Sequence, residues 1–108
     1  MRKGTIATGL TVEVKRTVAA RDEFNGWTCC IVCGQPAPQN APTAFSCAHY
    51  ISRAQGGLGV EQNIVTLCPR CHRMYDQGID RRALGNYIKG YLQSKYPDWD
   101  EEKLYYRG

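Results

Sequence analysis

No apolar run in this 108-residue chain is longer than a few residues, far short of the roughly 20 that cross a bilayer as a helix, so a membrane span is excluded. The stretch from Met1 to Ala20 is broken by Lys3, Glu13, Lys15 and Arg16, which excludes the continuous apolar stretch of a secretory signal. A cytoplasmic protein with reduced thiols is therefore expected. Internal repeats and low-complexity tracts are also missing, which leaves one small domain in place of an array or a long linker. Strong charge of one sign is lacking too. The 14 Lys and Arg against 10 Asp and Glu give a formal charge of +4, a weak pointer to nucleic acid because small solvated domains often carry a similar excess. The distribution says more: Arg53, Arg70, Arg73, Arg81 and Arg82 concentrate in the middle, whereas Asp98, Asp100, Glu101 and Glu102 gather near the end.

What the chain does have is cysteine, six residues of it. A domain of this size buries only about 60 to 68% of the surface its unfolded chain exposes, so a covalent or metal staple helps it fold. Two Cys-x-x-Cys pairs, Cys30/Cys33 and Cys68/Cys71, are separated by a hairpin-sized segment. Each such turn presents two thiolates on one side, and two turns complete the tetrahedral shell that Zn²⁺ prefers. The bland alternative is a disulfide or redox pair, which reduced cytoplasmic thiols disfavour. Four thiolates around one Zn²⁺ subtract two charges and leave the folded domain near about +2. Cys29 and Cys47 are left over. Cys29 competes with Cys30 as a ligand, though spacing to Cys33 favours Cys30, and Cys47 reads as a small buried hydrophobe.

Periodicity orders the rest. Residues 1–9 have no pattern and read as a flexible arm, with residues 10–108 forming a single domain. Val14, Val18, Ala19 and Phe24 fit one stripe of a helix over Val12 to Phe24, with Lys15, Arg16, Arg21, Asp22 and Glu23 facing water and Asn25-Gly26 as the C-cap. A short strand-like segment, Trp27 to Val32, leads into the first knuckle, and Pro36, Pro38 and Pro42 make residues 35–43 a loop. Ala44 to Ser52 is expected to pair antiparallel with Asn63 to Leu67 across a glycine-rich turn at residues 55–59. Pro69 suits the first position of a helix that Gly78 ends. A last helical section spans residues 80–106: Leu84, Ile88, Tyr91 and Leu92 form the buried stripe of a helix from Asp80 to Tyr96, with Tyr87 also packed inward, and Asp98 caps a short terminal helix.

Within that frame stand Ala48-His49-Tyr50-Ile51-Ser52-Arg53, Gln55-Gly56-Gly57, and Asn63-Ile64-Val65-Thr66-Leu67-Cys68-Pro69-Arg70-Cys71-His72, with Arg21-Asp22 ahead of Cys30-Ile31-Val32-Cys33-Gly34. In that combination the stretch from Trp27 to Gly78 resembles the HNH endonuclease family, in the branch with a four-cysteine zinc site. The resemblance implies an α+β fold: a small zinc-stabilised ββα-metal, treble-clef-like core over residues 27–78, with flanking N- and C-terminal helices. It implies that His49 is the general base, that Asn63 orients the hairpin and that base, and that His72 binds a catalytic divalent cation. It further implies a DNA substrate and a setting in phage DNA processing or packaging, with packaging proteins as partners in a bacterial host's cytoplasm.

The chemistry of these residues supports that assignment. Phosphodiester hydrolysis needs a base for water and a cation to stabilise charge on the phosphate and leaving oxygen, and imidazole titrates near neutrality. Asp76 lies four residues after His72, on the same helix face, so both side chains are expected to reach one ion. A carboxylate hardens that site toward Mg²⁺ or Mn²⁺, with Ni²⁺ also open. Arg53, Arg70 and Arg73 flank the site where a phosphate backbone must lie. Ala48 departs from the family pattern, which often carries a ligating Asp or His there. The expected activity is DNA nicking or cleavage by an HNH endonuclease, with RNA cleavage an open alternative. The competing class is a zinc-binding nucleic-acid or protein adaptor without catalysis.

Overall fold

Thr11 opens the first helix, α1 (Val12–Arg21), by accepting the Val14 N–H on its side-chain oxygen at 3.1 Å. The computed structural model describes residues 9–38, 40–41, 44–78 and 80–106; residues 1–8 of the expected arm, and Pro42 and Thr43 of the proline-rich loop, lie outside them. Val18 and Ala19 are the buried face of α1. The helix stops at Arg21, short of the expected Phe24. Asn25 (φ 53°) and Gly26 (φ 83°) both take positive φ, the geometry of a two-residue hairpin turn rather than of a helix cap. They join β1 (Glu23–Phe24) to β2 (Trp27–Thr28), with Glu23 opposite Thr28 and Phe24 opposite Trp27. Phe24, expected to be inward, is consequently 69% exposed, whereas Asp22, expected in water, is buried and Arg21 half-buried.

Beyond β2 the chain folds back on itself through a bridge between Cys29 and Pro36. Gly34 (φ 81°) donates its N–H to Cys30 O at 2.9 Å, and the Ile31 N–H reaches Thr66 O at 3.1 Å, which ties this knuckle to the hairpin that follows. That hairpin is β3 (Ser46–His49) against β4 (Ile64–Leu67), antiparallel, with Ala48 opposite Val65 and His49 opposite Ile64. Both strands are shorter than expected. Past His49 the chain curls into a loop stitched to Asn63. Gly57 is required there, because a Cβ at that position would lie 1.7 Å from Ile51 O.

Helix α2 (Pro69–Asp76) begins with Pro69 at its first turn, as expected, and Gly78 (φ 80°) follows it. Helix α3 (Arg81–Lys95) packs back on α2, burying Ile88 and Leu92 completely. These join Ala48, Val65, Leu67, Tyr75 and three of the four paired cysteines, Cys30, Cys68 and Cys71, in the core, while Cys33 is exposed. Tyr91 faces inward, but Tyr87, expected to do so, is 53% exposed because it lies off the stripe through Ile88 and Leu92. The terminal helix is a 3₁₀ turn, Glu101–Leu104, capped by Asp100 rather than Asp98 through a 3.0 Å bond from the Glu102 N–H. This tail closes over the glycine loop: Leu58 N–H donates to Leu104 O at 2.8 Å and Tyr106 N–H to Gly56 O at 2.6 Å. The result is the α+β arrangement expected, with knuckle, hairpin and helix in chain order. No described helix is long and apolar enough to cross a membrane.

Candidate metal centre and active-site cleft

The knuckle supplies Cys30 and Cys33, and the start of α2 supplies Cys68 and Cys71. Their four sulfurs lie within 4.8 Å of one another, with Cys33 and Cys68 at 3.6 Å. A tetrahedron with Zn–S bonds of about 2.3 Å has sulfurs about 3.8 Å apart, so the donor set and its spacing fit zinc. The electrostatics fit as well. Burial, together with the neighbouring sulfurs, pushes the Cys71 thiol well up, and Cys33 moves the same way. Burial acts to raise Cys30 too, but backbone N–H groups of Cys33, Cys68 and Val32 aimed at its sulfur hold it below the ordinary thiol range. A dication removes the repulsion among four thiolates so crowded. Cys29 is no competitor: its Sγ turns to Trp27 O at 3.4 Å.

The second feature is a cleft of about 350 Å³ lined by Leu10, Cys47, His49, Ser52, Arg53, His72 and Asp76. Strand alternation explains two of these, since Cys47 and His49 share one face of β3 while Ala48 between them points into the core. Cys47 is thus a wall of the cleft and only half-buried, not the core hydrophobe its residue type suggests; burial pushes its thiol up. From α2, His72 Nε2 approaches Asp76 Oδ2 to 3.1 Å. That is ion-pair range across one helical turn, and it also matches the separation of about 3.0 Å between adjacent ligands about 2.1 Å from an octahedral ion. Because Cys71 precedes His72, the zinc site fixes the helix turn that carries it.

The other expected residues separate. Arg53 lines the cleft, whereas Arg70 and Arg73 are exposed on α2 and outside its walls. Asn63 is completely buried. Its side-chain amide donates to Ile51 O at 3.1 Å and Leu58 O at 2.8 Å, and its Oδ1 accepts the Ile51 N–H at 2.8 Å. The Asn63 carbonyl also accepts the Tyr50 N–H at 2.8 Å. These contacts make Asn63 a clasp on the loop after His49, a positioning residue for the strand end.

Residue-type reasoning missed a third feature, the Arg21–Asp22 pair. Arg21 Nε meets Asp22 Oδ1 at 2.7 Å and Nη2 meets Oδ2 at 3.0 Å, a two-pronged contact. The guanidinium also reaches Glu61 O, Ile64 O and the Tyr96 hydroxyl, and Asp22 accepts the Thr66 N–H at 3.0 Å and the Tyr91 hydroxyl at 2.5 Å. The pair ties α1, β4 and α3 into one frame behind the cleft. Its adjacency just ahead of the first knuckle was the available signal.

Residues 30–78, from the first zinc ligand to the glycine after α2, match the model of the HNH endonuclease family. The match covers 49 of the 108 residues, and the likeness to that family is to this stretch of the chain. No curated protein matches the chain.

Proposed function

We propose that this HNH domain is a metal-dependent endonuclease that hydrolyses DNA phosphodiester bonds, nicking or cutting with little sequence selectivity of its own. The observation that carries the reading is that His49 and the His72–Asp76 pair, from different elements, line one cleft. His49 takes a proton from water as the water attacks phosphorus, and the P–O bond opposite breaks. His72 and Asp76 would hold a divalent cation, Mg²⁺ or Mn²⁺ by the hardness of the carboxylate, which would supply charge stabilisation at the phosphate and leaving oxygen. Arg53 is placed to meet a neighbouring phosphate. Asn63 keeps the loop after His49 in one conformation. A setting in phage DNA processing or packaging, with packaging proteins as partners, extends this reading by resemblance.

The adaptor reading drew on Ala48, which coordinates nothing. Its methyl group is in the core on the strand face opposite His49, so a missing carboxylate there subtracts little from the cleft. The deciding experiment is plasmid nicking in Mg²⁺, Mn²⁺ or Ni²⁺, comparing the parent with His49→Ala. Loss of about a hundredfold or more is expected on removing a general base. Equal rates, or no nicking by either, overturn the enzyme reading.

A further inference from the structure

The loop after His49 is a ridge with a depression on each side. Ser52 and Arg53 face the catalytic cleft, while the adjacent Ile51 and nearby Gln55 face a second, shallower groove of about 500 Å³. The end of α2 divides the same way, with Asp76 in the cleft and Tyr75 in the groove. The opposite wall is the first turns of α3, where Arg81, Arg82 and Asn86 stand. We propose that this groove binds the DNA backbone that flanks the scissile phosphate, holding the substrate across the ridge; as an account of substrate placement it rests on the nuclease reading.

The chemistry of the walls identifies the occupant. Arg81 is pre-ordered: its Nη1 donates to Tyr75 O at 2.9 Å and its guanidinium lies 4.4 Å from the centre of the Tyr75 ring, which leaves its remaining N–H groups for an acceptor. Arg82, Gln55 and Asn86 are exposed and bring a second guanidinium and two amides. Guanidinium and amide donors on the walls of a trough floored by Tyr50, Ile51, Tyr75 and Tyr105 match phosphate and sugar oxygens, the contacts that set register and orientation on a nucleic acid. Among the described residues that line the groove the carboxylate is Glu101, which accepts from the Tyr50 hydroxyl at 2.9 Å and lies 3.5 Å from Lys89 Nζ, so the lysine offsets its charge in part and two guanidiniums leave the walls net positive. Asp98 and Asp100 line a different depression, with Trp99 and Lys103. Asp98 and Asp100 are thereby kept off the walls that carry the arginines, and Glu101 is the member of the acidic end that shares them.

The test measures binding and chemistry separately. Binding of a short labelled DNA duplex is followed by fluorescence anisotropy in a His49→Ala background, with and without Arg82→Glu, and with Arg16→Glu on exposed α1 as a control of equal charge change. Arg82→Glu is expected to weaken binding about tenfold and to flatten the dependence of log K on log salt by about 0.9 or more, with Arg16→Glu close to the parent. In the catalytically intact chain, Arg82→Glu is expected to slow plasmid nicking while hydrolysis of bis(p-nitrophenyl) phosphate, too small to reach the groove, is unchanged. Zinc content and thermal midpoint confirm that the variant folds, and Arg82→Gln repeats the comparison if it does not. Equal binding and salt dependence in parent and variant overturn the groove and leave the nuclease reading standing. Weakened binding without any nicking by the parent overturns the nuclease reading, and with it the placement beside a scissile phosphate, while supporting the groove as a DNA-backbone site.

Discussion

His72 Nε2 and Asp76 Oδ2 lie 3.1 Å apart, one helical turn from each other on α2. The contact is an ion-pair distance and also matches two neighbouring ligands of one ion; on the proposed reading, imidazole beside carboxylate would select that ion. Asp76→His replaces a hard oxygen with a second imidazole on the same face. We expect nicking in Mg²⁺ to fall at least about tenfold and the preference to move toward Ni²⁺, since Mg²⁺ takes oxygen ligands. Rates measured across Mg²⁺, Mn²⁺ and Ni²⁺ check this; an unchanged order of preference removes Asp76 from the ion's shell.

Asn63 clasps the loop after His49 from the interior. Asn63→Ala leaves the Ile51 N–H and the carbonyls of Ile51 and Leu58 without their present partners, and we expect a loss of about 2–4 kcal/mol from buried groups so exposed to dry surroundings. Asn63→Asp keeps the shape but sets an oxygen against two carbonyls, so it is expected to be no better at neutral pH. Urea denaturation of both variants measures the effect. A loss under about 0.5 kcal/mol for Asn63→Ala contradicts the clasp.

How much of this was legible follows from what kind of signal each residue carries. Cys30, Cys33, Cys68 and Cys71 were readable because metal-ligand spacing is local and chemical, and Pro69 and Gly78 bounded α2 for the same local reason. His49 and His72 were readable only as members of a pattern, and it is the folded cleft that gives them a common wall. Asn25-Gly26 misled because the same dipeptide ends helices and turns hairpins; the choice is made by Asp22, whose carboxylate is drawn inward by Thr66 and Tyr91 and stops α1 one residue earlier. Arg21 and Cys47 were misread for a related reason: burial of a charge or exposure of a thiol depends on partners more than 20 residues away, which no local period encodes. Tyr87 shows the limit of counting helical positions, since it sits beside Ile88 but just off the face that α2 covers.

The Arg21–Asp22 pair is expected to behave as a unit. Asp22→Ala leaves a half-buried guanidinium without its carboxylate, and we expect a loss of about 3–5 kcal/mol. The double replacement Arg21→Met, Asp22→Leu removes both charges and is expected to be milder than either single change. A double-mutant cycle by urea denaturation checks this. Additive losses would falsify the coupling.

Removal of zinc tests the frame as a whole. The four sulfurs sit at the junction of the knuckle, β4 and α2, so a bound ion would cross-link them, and metal binding in such small domains is folding free energy. One zinc per chain is expected by elemental analysis. Chelation is expected to abolish the cooperative thermal transition, and added Zn²⁺ to restore it. A chain that contains no zinc, or melts identically after chelation, contradicts the site.

Alkaline pH probes the contact between α3 and the rest. Burial raises the hydroxyls of Tyr50, Tyr91 and Tyr96, and hydrogen bonds to Glu101 and Asp22 add to the shift at Tyr50 and Tyr91. In the unfolded chain tyrosines ionise near about pH 10, whereas in the fold these three keep their protons to higher pH. The folded state therefore binds more protons than the unfolded state above about pH 10, and stability falls as pH rises from there. Tyr91→Phe removes one such group together with its bond to Asp22. We expect the variant to be less stable than the parent at neutral pH, by about 1–2 kcal/mol for a hydrogen bond to a charged acceptor, and its stability to decline less steeply through the alkaline range. The two curves of stability against pH should consequently converge above about pH 10, and parallel curves would show that the Tyr91 hydroxyl titrates in the fold as it does in the unfolded chain.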